Sequence, residues 1–356
     1  MDQQSRKFLF EYLNNNAPTG YEAAGQKLWL DYLRPYIHDE LIDIYGSAVG
    51  IINPQADYKV VIEAHADEIS WYVNYITKEG LIHVIRNGGS DYDIAPSMRA
   101  KIHVGEKTIP AVFGWPAIHV RSTDKPIKAD VDTISLDCGC HSYEEVLALG
   151  IHVGSIVTFE ADLIELNQGK YLVGRALDNR IGGFMIAQVA KKLHENQVKL
   201  PFGLYIVNAV QEEVGLRGAS MLAHRLQPDL AIITDVTHDT QTPHYSKIKE
   251  GDIACGKGPV FTYAPAVQNN VLKLLIEVAQ KNDIPFQRLA SSRSTSTDTD
   301  AFAYSGAGIP AGLISLPLKY MHTTVEMVHQ KDVDYIIEMF YQFLIQFKPN
   351  YNFGYF

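Results

Sequence analysis

Five apolar runs of this chain each lead into an imidazole or a carboxylate. KVVIEA ends at His65, KYLVGRAL at Asp178, LYIVNAVQ at Glu212 and Glu213, LAIIT at Asp235, and GLISLPLKYM at His322. Imidazole nitrogen and carboxylate oxygen are the donors that zinc accepts in catalytic sites, where one position stays open for water. Short runs rich in aliphatic and β-branched residues read as buried strands. In open α/β sheets, ligands gather beyond the carboxyl ends of strands. These strand exits therefore deliver their donors to one crevice, and the chemistry expected there is hydrolysis by metal-activated water.

Each residue alone also has a plainer reading. His65 and His322 read as hydrogen-bonded structural histidines, Asp178 as the cap of a helix beginning at Asn179, Glu212 and Glu213 as a solvated helix start, and Asp235 as a turn residue. Their convergence favours the metal. In His65-Ala66-Asp67, Asp67 is placed to accept a hydrogen bond from the far ring nitrogen of His65, which would fix the ring. The adjacent Glu212 and Glu213 cannot do the same work: one binds metal, while the other stays free to take a proton from water.

The elements that must position these residues are α/β in type. SRKFLFEYLNN and PTGYEAAGQKLWLDYLRPY read as helices, the second opening on Thr19 and Glu22 as a capping box. A hairpin-like stretch with Gly46 and Gly50 in turns follows, then the first sheet strand. Residues 70–165 change character: ISWYVNYI, GLIHVIR, RAKIHV, IPAVFGW, VDTISLD and SIVTFEAD read as an inserted all-β barrel or sandwich, with one short helix at SYEEVLALG. Strand–helix alternation then resumes to the end of the chain. The expected fold is α/β, a mixed, mostly parallel sheet with helices on both faces, divided as 1–69 and 166–356 around the β insertion at 70–165. Asp298 and Asp300 are expected in a solvated polar loop, with a place in the pocket lining as the alternative.

Composition narrows the function. The chain is 46% hydrophobic and 20% charged, with a net charge of −10 and no basic cluster, which argues against nucleic-acid binding. No stretch approaches the roughly 18 apolar residues of a membrane span, and the N-terminus has no secretory pattern. Cys138, Cys140 and Cys255 form an odd set whose first pair is too close for an ordinary bridge, so a reduced, cytoplasmic protein is expected.

The motifs A-H-A-D-E-I (64–69), G-R-A-L-D-N-R-I-G (174–182) and Q-E-E-V-G-L-R-G-A (211–219), followed by T-D-V-T-H-D (234–239), G-K-G-P (256–259) and Y-M-H-T-T-V-E (320–326), resemble the glutamyl/deblocking aminopeptidases. These are dinuclear metallopeptidases that form tetrahedral, twelve-subunit assemblies. The resemblance runs from about residue 8 to about residue 345. It implies that His65 and Asp235 hold one metal, Glu213 and His322 the other, and Asp178 bridges them. Glu212 would be the general base, and Asp67 would support His65. It also implies two divalent ions, zinc with cobalt or manganese as alternatives, peptide substrates with a free N-terminus, and a homo-oligomer. Ser70 stands where the family pattern leads us to expect Gly, and Trp71 follows it. Lys319 replaces the usual Arg, and Ser47 and Ala48 replace the usual Asn of an early Gly-Asn turn. Ser70, Trp71 and Lys319 lie near His65 or His322 in sequence and bear on substrate preference.

Three rival functions follow from the same residues. A related dinuclear exopeptidase or deacylase would share the metal set. A glycosidase also needs paired carboxylates, but adjacent ones are poorly placed to flank a sugar bond. A scaffold would use the aromatic insertion (Trp71, Tyr72, Tyr75, Tyr92, Trp115) as a surface, although core and subunit-contact roles are the expectation for these side chains.

Overall fold

Parallel strands joined by helices must be covered on both faces, and the order of elements follows that demand. The computed structural model describes residues 1–122 and 124–356. The chain opens with helices α1 (Gln3–Asn14) and α2 (Ala23–Leu33), then strands β1 (Asp39–Ile42), β2 (Ala48–Ile52) and β3 (Lys59–His65). Next come β4 (Ser70–Ile76), β5 (Ile82–Asn87), β6 (Arg99–Val104), β7 (Lys107–Phe113), β8 (Leu136–Asp137), α3 (Tyr143–Ala148) and β9 (Ile156–Phe159). The remainder is β10 (Ile164–Leu166), β11 (Tyr171–Gly174), α4 (Leu177–Glu195), β12 (Gly203–Ala209), α5 (Arg217–Leu226), β13 (Leu230–His238), α6 (Lys247–Glu250), β14 (Val260–Tyr263), α7 (Asn269–Lys281), β15 (Gln287–Ala290), α8 (Asp298–Ala303), β16 (Ala311–Lys319), β17 (Glu326–His329) and α9 (Gln330–Gln346).

The large sheet runs β1-β2-β12-β3-β13-β16-β17-β11-β10, with β14 beside β16 and β15 beside β14. Its central strands β12, β3, β13 and β16 are parallel. Outside this centre, β14 and β15 also pair parallel to each other, while β14 meets β16 antiparallel. Towards the edges β2 meets β12, and β17 meets both β16 and β11, in antiparallel pairs. Helix α4 lies along β3 and β13 and is flanked by α1, α2 and α9, while α5 and α8 pack on each other. The central strands are buried almost throughout, and one large apolar core unites them with the helices.

Gly50 lies within β2 rather than in a turn. The reason is the close approach of α2: a Cβ at this position would stand 2.4 Å from Leu33 Cδ2. Gly46, at φ 97°, does occupy the turn before β2.

Strand register brings the polar strand exits level. His65 at the end of β3 lies opposite Ala209 of β12, so the turn carrying Glu212 and Glu213 emerges beside it. On the other side Ile233 of β13 lies opposite Glu63, and two residues further along each strand stand Asp235 and His65.

Strands β4-β5-β8-β7-β6-β9 form a closed barrel, which closure spares from exposed edges. Its separate core centres on Trp71, fully buried against Tyr92, Phe113 and Phe159 at ring-centroid distances of 5.2, 5.8 and 6.1 Å. Trp115 packs against that core, whereas Tyr75 is exposed. Emptying this centre leaves a cavity that such a small barrel cannot close. Trp71→Ala should lower stability by about 3–5 kcal/mol, read as a reduced midpoint of denaturant unfolding; an unchanged midpoint would refute Trp71 as the centre of the barrel core.

Candidate metal centre

The structure brings together His65, Asp178, Glu212, Glu213, Asp235 and His322, which lie far apart along the chain. Three overlapping sets, namely His65/Asp178/Asp235, His65/Glu212/Glu213 and Asp178/Glu213/His322, each offer one donor atom per residue, with all donors of a set within 4.8 Å of one another. His65 Nε2 stands 3.3 Å from Asp178 Oδ1 and 3.9 Å from both Glu212 Oε2 and Asp235 Oδ1. His322 Nε2 stands 3.2 Å from Asp178 Oδ2 and 3.5 Å from Glu213 Oε1. Ligands bound at 2.0–2.2 Å in a tetrahedron are themselves roughly 3.3–3.6 Å apart; the contacts of Asp178 with both imidazoles and of Glu213 with His322 have about that spacing, and the two 3.9 Å separations are wider.

Asp178 does not cap the helix that follows it. Its φ and ψ are non-helical, its side chain caps nothing, and the peptide bond after it is cis. Its backbone N–H donates to Glu326 Oε2 at 3.0 Å, and the His322 N–H donates to Glu326 Oε1 at 2.8 Å. Glu326 thus ties the loops that carry Asp178 and His322 to the first residue of β17. Glu326 closes the motif Y-M-H-T-T-V-E, where nothing in the sequence alone assigns it a role.

Asp67 acts on two fronts. Its Oδ1 lies 3.3 Å from His65 Nδ1 and accepts the Glu212 N–H at 3.0 Å. Its Oδ2 accepts from Thr19 Oγ1 at 2.8 Å and from the Glu213 N–H at 3.3 Å. Thr19 and Glu22 therefore form no capping box. Glu22 Oε1 instead accepts the N–H groups of Gly20 and Gln211, at 2.7 and 3.2 Å. The tertiary partners won because the segment before α2 runs against the turn that holds Glu212.

Electrostatics tests what this donor set fits. Burial raises the carboxyl of Glu212 to about 10; repulsion from Asp235, Asp298 and Glu213 adds to this, and His65 opposes it. Burial likewise raises Asp235 and Glu213. Asp178 departs the other way: burial is outweighed by the imidazoles of His322 and His65, and the carboxyl falls below its ordinary range. Burial opposes the charged form of His322, but Asp178 and Glu213 outweigh it and hold the ring at about 11. Both ring nitrogens of His65, which is 1% exposed, lack a hydrogen-bond partner among the described residues. An acidic, desolvated crevice with a buried unpartnered imidazole fits divalent cations.

Behind the crevice lie Glu63 and Asp298, both buried and without hydrogen-bond donors among the described residues. Burial raises Glu63 to about 8 and raises Asp298 as well. Asp298 is therefore not solvated; the first turn of α8 turns it inward. Asp300 instead accepts the N–H groups of Thr295 and Ser296. A narrow recess of about 20 Å³, lined in part by Asp178, Glu213, His322 and Glu326, opens between the large sheet and the barrel residue Phe159. Trp71 is inside the barrel core and does not line this recess.

A family model described as M42 glutamyl aminopeptidase matches residues 46–339. The lysyl aminopeptidase of Pyrococcus furiosus is 32% identical over 336 residues, 93% of this chain and 94% of that protein. An aminopeptidase structure from the archaeon Desulfurococcus kamchatkensis superposes with a TM-score of 0.88 at 28% identity, covering 97% of this chain and 96% of that one. PhTET1-12s, solved as a dodecamer, gives a TM-score of 0.85 at 25% identity, covering 98% and 100%. Sequence and structure thus agree over nearly the whole length, and the chain belongs to the M42 glutamyl aminopeptidase family.

Proposed function

We propose that this metal-dependent aminopeptidase releases N-terminal residues from peptides, with Glu212 as the base that takes a proton from the attacking water. The placement of Asp178 carries the two-ion reading. Its two oxygens face different imidazoles, at 3.3 Å to His65 and 3.2 Å to His322, as a carboxylate shared by two cations would. On this reading His65 and Asp235 hold one ion with Asp178, and Glu213 and His322 hold the other. Two divalent ions bound there supply Lewis acidity towards the scissile carbonyl and make water more acidic. We assign zinc, the ion best suited to a mixed imidazole and carboxylate set; cobalt and manganese accept the same donors.

The division of labour between the adjacent glutamates rests on their surroundings. Glu213 Oε1 faces His322, beside Asp178. The Glu212 carboxylate accepts no hydrogen bond among the described residues, and burial with acidic neighbours increases its proton affinity. It is therefore suited to accept a proton from water and return it to the leaving amine. Asp67 holds the backbone of both glutamates and faces His65, so it is a positioning residue. By likeness to the lysyl aminopeptidase of Pyrococcus furiosus, the substrates are taken to be peptides with a free N-terminus. By likeness to PhTET1-12s, a dodecamer, we further propose a closed homo-oligomer, which the mass from light scattering would test.

Glu212→Gln should retain both ions by elemental analysis and lower kcat by about 10²- to 10⁴-fold; near-normal kcat rules out this base. His65→Ala should lose bound metal and activity together, and full metal occupancy in that variant would remove His65 from the ligand set. Cleavage of a peptide should disappear when its N-terminus is acetylated, whereas equal rates on both forms would favour a different amidase.

A further inference from the structure

Two barrel residues reach the metal centre without offering it a donor. Gly88 and Gly89 follow the end of β5 and press against ligands from the α/β sheet. A Cβ on Gly88 would stand 3.2 Å from Glu213 Cβ. A Cβ on Gly89 would stand 2.5 Å from His322 Nδ1 and 2.6 Å from Cε1. The other ring nitrogen, Nε2, is the one that faces Asp178 and Glu213. Gly89 is thus seated against the back of the imidazole.

A metal-binding histidine is ordinarily oriented by a hydrogen bond from its far nitrogen. Among the described residues, His322 Nδ1 makes none, and contact with Gly89 takes that place. The turn itself is fixed on both sides. Asn87 Nδ2 donates to the Thr19 carbonyl at 2.9 Å and to Ser70 Oγ at 2.8 Å, and Ser90 Oγ donates to the Ser70 carbonyl at 2.7 Å. Asn87, Ser70 and Ser90 are all buried. Ser70 is the position where this chain departs from the glycine its resemblance led us to expect, and its hydroxyl is part of the clamp.

We infer that the barrel turn Asn87–Ser90, locked by Ser70, is a positioning element that sets the orientation of His322 and thereby the affinity of one of the two ion sites. The inference rests on the two-ion reading above. It makes the sites unequal by construction, since contact with the barrel orients a ligand of only one of them. The distances decide how strict the seat is. Ordinary contact begins at 3.4 Å, so a methyl group on Gly89 would push the ring back by about 0.9 Å. Metal–ligand distances tolerate only about 0.2 Å. Gly89 does not have a left-handed φ, so alanine is acceptable to the backbone there and the variant probes the ring contact alone.

The test is titration of the metal-free, full-length protein with Co²⁺, followed by calorimetry and by the visible absorption of the bound ion. Wild type and the barrel control Gly114→Ala, whose added Cβ would meet nothing within 4 Å, should bind two ions alike. Gly89→Ala should bind one ion as wild type does and the other about 10- to 100-fold more weakly, with an altered absorption band for that ion. Two wild-type isotherms in a folded Gly89→Ala protein overturn the inference. If Gly89→Ala does not fold, Ser70→Gly replaces it: several-fold weaker binding of one ion supports the clamp, and unchanged binding overturns it. A wild type that binds fewer than two ions overturns the two-ion reading instead, which separates the two failures.

Discussion

Removing a carboxylate from water without a counter-charge is costly, and this protein gathers Glu63, Asp67, Asp178, Glu212, Glu213, Asp235, Asp298 and Glu326 around one crevice. His65 and His322 are the imidazoles that oppose them, and the nearby Glu68 is already matched by Arg175. Such a cluster has few ways to exist. Some members turn their oxygens towards backbone N–H groups, as Asp67 and Glu326 do. Others retain protons, as burial favours for Glu63 and Asp298. The rest need cations. The crevice sorts its acids into these classes by what lies within hydrogen-bond reach, and Asp178, set between two imidazoles, is held in the charged form.

The α/β sheet makes this concentration of charge feasible. Parallel strands in register release their polar ends at one level, so residues remote in sequence meet without long loops. The apolar bodies of β3, β13 and β16 provide the rigid support, and the turns beyond them need only short tethers. Asp67 and Glu326 are those tethers. Each fixes two backbone N–H groups of the turns that carry the candidate residues, so their placement is set by main-chain bonds more than by side-chain freedom.

Much of this was legible in the chain. Apolar runs leading to His65, Asp235 and His322 marked the strands β3, β13 and β16, although β13 continues past Asp235 to His238, and the change of character near residue 70 marked the barrel. What could not be read depended on contacts between distant segments. Thr19 and Glu22 have the spacing of a capping box, but partners at Asp67 and Gln211 claim them. Gly50 looks like a turn residue because glycine does, while its reason is the side chain of Leu33 from another element. Asp298 sits in a polar tract, and only the packing of α8 makes it interior. Local chemistry identifies a donor; it does not say which carboxylate will hold another residue's backbone in place.

The distribution of the candidate donors along the chain also bears on folding. The donors span residues 65 to 322, with the whole barrel threaded between the first and the second, so no fragment of the chain can assemble the centre before the sheet is complete. Ions that recognise this constellation bind the folded state and not the unfolded one. Free metal concentration, c, would therefore enter the folding equilibrium directly, stabilising the native chain by RT ln(1 + c/Kd) for each site. The same acids that make the empty crevice repulsive turn it, once filled, into a late-closing fastener for the fold.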